Sequence, residues 1–290
     1  MLLSRSDSFR GSESHFFYNL CFENKFDRLI FVGICFCCFA VTLANANAQE
    51  SVSPTVNEQA RRLFQEAAQA LNLGKPDQVM EKAVQVAQLL PDDARVQQRT
   101  AELLYRCGSV LESLKYFDRS VELNAAGADE NWQRGIALAT AGQYEKGAAQ
   151  FADHHRVNPD DVENSAWHFL CLSKSQGVDS ARRGLLPSRG DSRQPMMAIL
   201  AMLRQEKSPE ELQSDLQSLS LDAQQLQTAR FYAYLYLGLY YDSQGKMNEA
   251  KDFLQKSVEC KIAGYMADVA RVYLQHRFND SDNNAGNTSP

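Results

Sequence analysis

Few residues in this chain could do chemistry, and their spacing limits what that chemistry could be. His154 and His155 are its one adjacent histidine pair. Helical neighbours point about 100° apart, so both rings cannot face one metal ion well. His154 falls where a repeat packs a small residue between helices, so the pair reads as packing or surface. His168 stands between Trp167 and Phe169, the setting of a core histidine. Asp92-Asp93 and Asp160-Asp161 each follow a proline. Paired carboxylates could serve acid–base work, but after a proline they read as caps of helix N-termini. Cys107, Cys171 and Cys260 lie far apart, without a CxxC or a zinc spacing. One disulfide with a leftover thiol stays open beside three inert, buried thiols. No GxSxG, HExxH or phosphate loop occurs. The expectation is a chain with no catalytic residues, no metal and no cofactor, and a metal-dependent enzyme is the minority alternative.

The elements that would position these residues repeat. Gly74, Gly108 and Gly142 stand 34 residues apart, and Pro91 and Pro159 stand two such periods apart. A fixed period of 34 residues marks the tetratricopeptide repeat, a helix–turn–helix unit. Within the second unit Val110, Leu114, Phe117 and Val121 recur at helical steps. The stretch YLGLYYDSQGKMNEAKDFLQ, from Tyr236, fits the same pattern. There Gly238 and Ala250 are small so that two helices can approach closely, Tyr241 and Leu254 fill the space beside them, and Gly245 is the turn. The predicted fold is therefore all-α, a tetratricopeptide-repeat helical-hairpin solenoid with a C-terminal capping helix. The expected units are 60–93, 94–127 and 128–161, degenerate units 162–195 and 196–230, then 231–264. A cap over 264–277 follows, with Met266, Val269, Val272 and Tyr273 facing inward. Residues 49–59 read as a linker and 279–290 as a disordered tail.

The 290 residues carry a net charge of −6, with no basic stripe. This argues against nucleic acid as a partner. Residues 29–43, LIFVGICFCCFAVTL, form an uncharged apolar run, short for a membrane span. Arg28 precedes it and Ala46-Asn47-Ala48 follows as a small-x-small cleavage site. Residues 1–48 are thus expected to be a signal peptide, with the mature chain exported. No stable membrane span is expected after cleavage, and an uncleaved N-terminal anchor is the rival reading.

From Ser165 onward the order is a Trp-containing helix, a shortened arm, a SPEEL-type helix, the YLGLYY hairpin and a terminal helix. This arrangement resembles the NlpI-type bacterial envelope lipoproteins. The resemblance implies a non-enzymatic adaptor of the cell envelope, a homodimer that holds proteases or cell-wall hydrolases. A structural subunit of an envelope complex is the alternative. The chain lacks a cysteine suited to lipid attachment, a departure from that family. In stacked repeats the first helix of each pair lines the groove. Groove positions here are Phe64, Arg95, Gln98, Glu102, Tyr105, Arg106, Trp132 and Ile136, expected to take other proteins or peptides. The places of a chaperone-tail clamp hold Phe64, Ala68, Arg99, Asp129 and Gln133, which excludes that ligand. Tyr232, Tyr236 and Tyr240 form a third apolar stripe on one helix. They are expected at a dimer contact, unless the preceding degenerate unit covers them.

Overall fold

Glycine-punctuated apolar periodicity folds into helical hairpins. In the computed structural model, which describes residues 54–285, thirteen α-helices and no strand are found among the described residues. The expected signal peptide lies outside them. Helices α1 (Pro54–Asn72) and α2 (Pro76–Leu89) form the first hairpin. Helices α3 (Ala94–Arg106) and α4 (Val110–Leu123) form the second, and α5 (Trp132–Thr140) and α6 (Tyr144–Val157) the third. A 3-10 turn, Ala125–Glu130, joins α4 to α5. Helix α1 begins at Pro54, so residues 54–59 of the stretch expected to be a linker are helical.

The turn glycines are needed for their backbone. Gly74, Gly108 and Gly142 sit at φ of +64°, +95° and +74°, where a side chain would be strained. The aspartates after the prolines cap as their position implied. Asp93 Oδ1 accepts from the N–H of Arg95 at 2.9 Å, and Asp161 Oδ1 from that of Glu163 at 3.1 Å.

The middle of the chain departs from the period. Helix α7 (Val162–Gln176) is followed by the short α8 (Val178–Arg183). Helices α9 (Met196–Leu203) and α10 (Pro209–Ser218) come after a long connection. Ser208 starts α10 with a reciprocal cap, its hydroxyl accepting from Glu211 N–H while the Glu211 carboxylate accepts from Ser208 N–H. Helix α11 (Ala223–Ser243) opens well before residue 231 and pairs with α12 (Met247–Glu259). It packs directly on α7, so α9 and α10 lie beside this junction and do not separate the two hairpins.

Helix α13 (Tyr265–Ala285) runs past the expected cap boundary, and residues 279–285 continue it instead of starting a disordered tail. It packs on α12 and also on α3 and α5, so the end of the chain returns to the second and third hairpins. Val269, Val272 and Tyr273 are buried in the main core, which runs from α3 to α13. A smaller core lies under the first hairpin, around Leu63, Phe64, Val79, Val86 and Leu103.

The α11–α12 hairpin closes through Gly238. A Cβ there would lie 2.6 Å from Leu254 Cγ and 3.2 Å from the Leu254 backbone nitrogen. Gly238→Ala is expected to destabilise the chain by about 1–3 kcal/mol through overpacking. At Gly190, where a Cβ would meet nothing within 4 Å, alanine should change stability by less than about 0.5 kcal/mol. Thermal melts of the two variants check this; equal melting points would contradict the packing.

Candidate functional site

The outer face of α3 carries Arg95, Arg99, Glu102 and Arg106 at steps of four, three and four, one stripe along the helix. Across from it α5 presents Trp132, Gln133 and Ile136. A polar ladder ties the two helices. Asn131 Nδ2 donates to Gln98 Oε1 at 2.7 Å, and Gln98 Nε2 donates to Glu102 Oε1 at 3.0 Å. Gln133 Nε2 reaches the same carboxylate oxygen at 3.3 Å. Burial raises the Glu102 pKa, outweighing the opposite pulls of Gln98, Arg106 and Arg99.

Part of this face is covered by the chain itself. The Tyr265 ring of α13 stacks on Tyr105 at 6.3 Å and meets Trp132 edge-on at 5.3 Å. Asp268 pairs with Arg106 at 2.7 Å, and Arg271 donates to the Arg106 carbonyl at 2.6 Å. The expected groove residues therefore divide. Tyr105 and Ile136 are core, and the Tyr105 hydroxyl is hydrogen-bonded to Thr140 Oγ1 at 3.0 Å. Arg106 and Trp132 are engaged by α13. Phe64 is buried beneath the Arg99 guanidinium, 4.8 Å from its ring centre. Gln98 and Glu102 are half-buried in the ladder, and Arg95 is exposed. Among the described residues, α13 fills the downstream part of the groove expected over two repeats, through Tyr265 and Asp268.

What holds that helix is a buried carboxylate that sequence reading did not single out. Asp242 of α11 has no exposed side-chain surface. It pairs with Lys174 of α7 at 2.6 Å and Arg277 of α13 at 3.1 Å, and accepts from the Tyr273 hydroxyl at 2.5 Å. Burial alone would raise its pKa, but Arg277, Lys174 and Tyr273 together outweigh burial and hold the carboxyl below its usual range.

A second knot lies further toward the N-terminus of α11, where it meets the start of α7. Arg193, from the connection before α9, pairs with Asp161 and Asp191 at 2.6 Å and also with Glu163. The Tyr236 hydroxyl donates to Glu163. Tyr232 stacks on Tyr236 at 6.3 Å and Tyr240 stacks on Phe169 of α7 at 6.4 Å. The tyrosine stripe is thus turned largely inward, with Tyr236 buried and Tyr232 and Tyr240 half-buried. The physical reason is the missing spacer repeat: α7 lies directly on α11 and supplies the cover.

His154 is buried with Nδ1 2.8 Å from the Asp129 carbonyl, a packing role. Burial, with a smaller push from His155, lowers the His168 pKa to about 4, so its ring stays neutral. Cys107, Cys171 and Cys260 are unpaired, and burial pushes the Cys171 thiol pKa up, away from a reactive thiolate. Among the described residues no cluster of His, Cys, Asp or Glu is arranged to hold a metal, and no helix is long and apolar enough to cross a membrane.

No family model and no curated protein matches this chain. Among solved structures it is similar to MamA 41-end from Desulfovibrio magneticus RS-1, covering 70% of this chain and 96% of that one at 13% identity and a TM-score of 0.42. A MamA RS-1 ArsTM double mutant matches at the same identity and TM-score, with 95% of its chain covered.

Asp242→Asn is expected to cost about 3 kcal/mol, the low end for breaking a buried ion pair, because Lys174 and Arg277 keep some water contact. Asp268→Asn, at a partly exposed pair, should cost less than about 1 kcal/mol. The Asp242 contribution has a defined pH window. Its folded pKa is depressed, so the stabilisation is present above the unfolded value of about 3.9. It is lost as pH falls through the folded value. Melting curves of the wild type and Asp242→Asn should keep a constant gap from pH 7 to 5 and converge below pH 4; a gap that widens in acid would contradict the assignment.

Proposed function

We propose that the chain is a non-catalytic protein-binding scaffold. The observation that carries this reading is the α3–α5 face, where stacked hairpins hold α13 through the rings of Tyr105 and Trp132 and the Arg106–Asp268 ion pair. Such a face recognises shape and charge on another polypeptide. The histidine and cysteine of α7, His168 and Cys171, are buried in the packing of the hairpins.

We further propose an exported adaptor of the bacterial envelope, recruiting proteases or cell-wall hydrolases. The apolar run 29–43, the Ala46-Asn47-Ala48 site and the NlpI-type arrangement support this. A stoichiometric subunit of an envelope complex is the second reading, favoured by how much of the groove is already filled. The same arrangement supports a homodimer. Its contact does not centre on Tyr236, since that ring is buried against Glu163 and Tyr236→Glu would place a second acid beside it.

Purification of the tagged full chain from envelope extract of its native host tests these proposals together. Soluble hydrolases in the eluate support the adaptor, and one fixed set of subunits supports the assembly role. A chain eluting alone, with hydrolytic activity restored by a divalent metal, would overturn both. The purified chain is expected to begin at Gln49 or within a few residues; an intact residue 1 in the membrane fraction would make residues 29–43 an anchor.

A further inference from the structure

The connection between α8 and α9 is tied to the start of α7 by two arginines. Arg189 pairs with Asp160 at 3.1 Å on the surface. Arg193 sits among three carboxylates, with Asp161 and Asp191 each at 2.6 Å and Glu163 beside them. When all three acids are ionised they outnumber the one guanidinium. The backbone donors of the site go to the two aspartates. Asp161 accepts from the Glu163 N–H at 3.1 Å, and Asp191 from the N–H groups of Val162 and Arg193 at 3.3 Å and 3.1 Å. Glu163 is met by side chains, the Arg193 guanidinium and the Tyr236 hydroxyl of α11. Its own side chain is 13% exposed. The excess charge therefore falls on a carboxyl with little water around it. Burial raises the Glu163 pKa to about 7 against the pull of Arg193, with Asp161 adding to the rise and the Tyr236 hydrogen bond opposing it. The other helices packed on α7 have their charges engaged with one another. Asp153 pairs with Arg156 on α6, Asp179 with Arg182 on α8, and Arg134 of α5 with Asp118. On α6 His155 lies near His168, and α9 carries no charged side chain. On α11 Tyr232 stands beside the cluster, and Asp242 belongs to the other knot.

We propose that this cluster is a proton-dependent clasp: a proton on Glu163 tightens residues 184–195 onto α7 and α11, and its loss loosens them. With Glu163 neutral, Arg193 is shared by two carboxylates, and nothing on Glu163 repels them. With Glu163 ionised, a third like charge is held out of water beside Asp161 and Asp191, which costs free energy. Arg193 keeps its pairs with the aspartates in both states, so the connection loosens without leaving. A glutamate in unfolded chain has a pKa of about 4.3, well below that of Glu163 in the fold. The folded state therefore binds the proton more tightly. The stabilisation is full below about pH 4.3, falls as pH rises, and is gone above about pH 7. The clasp concerns the irregular middle of the chain and stands apart from the scaffold reading.

Hydrogen–deuterium exchange of the full chain over residues 188–196 tests the clasp. These amides include the N–H groups of Arg189 and Arg193, bonded to Asp160 and Asp191, and that of Met196, bonded to the Arg193 carbonyl. Protection is expressed relative to the intrinsic amide rate at each pH, from about pH 5.5 to about pH 8. In the wild type it is expected to fall about tenfold across that range. Glu163→Gln, whose amide stands in for the protonated acid, should hold its acid-range protection up to about pH 8. Tyr236→Phe removes a hydrogen bond that favours the ionised carboxyl, so the midpoint of the fall should move to higher pH. Circular dichroism identifies which variants are folded, and if Glu163→Gln is not, the wild-type profile and the direction of the Tyr236→Phe shift decide. Protection that stays flat or rises with pH in the wild type overturns the clasp. So does a wild-type fall retained in folded Glu163→Gln, or a midpoint moved to lower pH in Tyr236→Phe.

Discussion

A single buried carboxylate, Asp242, fixes the arrangement on which the rest depends. It sits on α11, yet its partners come from α7 and α13. A charge in that position is tolerable only when fully paired and hydrogen-bonded. Its three partners therefore have to come together, and in doing so they set where α13 lies. Once α13 is placed, Tyr265 reaches Tyr105 and Trp132, Asp268 reaches Arg106, and the downstream groove closes. The helix that closes the downstream half begins at Tyr265, beside Arg106.

The Arg193 knot does a parallel task for the irregular middle of the chain. Asp161, Glu163 and Asp191 surround one arginine, and Tyr236 adds a hydroxyl. Burial raises the Glu163 pKa against the pull of Arg193, as expected for a third acid crowded around one cation. The knot pins the connection after α8 to the start of α7 and to α11. The connection thereby becomes a fixed side support where a regular repeat would have continued the stack.

How much of this was legible in sequence follows from how local each signal is. The hairpins were legible because each is written within 34 residues: a turn glycine at positive φ, a capping aspartate after a proline, apolar steps of three and four. Gly238 and Ala250 could be assigned to close packing for the same reason. Boundaries set by tertiary contact were less legible. Helix α11 extends upstream because Asp222 and Gln225 cap it. Helix α13 continues beyond residue 277 into polar sequence that composition alone reads as a tail. The groove was half legible. Its positions on α3 and α5 follow from the repeat, but its filling depends on Tyr265 and Asp268, which are distant in sequence. Asp242 offered one hint, an acid closing an apolar tyrosine-rich helix, yet its partners lie 68 and 35 residues away and nothing local points to them.

The central claim is that α13 is a fixed part of the binding face, docked on α3 and α5. Hydrogen–deuterium exchange of the full chain, read by mass spectrometry over residues 265–278, tests it most directly. The account predicts that these amides exchange as slowly as those of α11, residues 229–242, because both helices share the Asp242 knot and the main core. Exchange of residues 265–278 at the rate of unprotected chain, with α11 still protected, would contradict it.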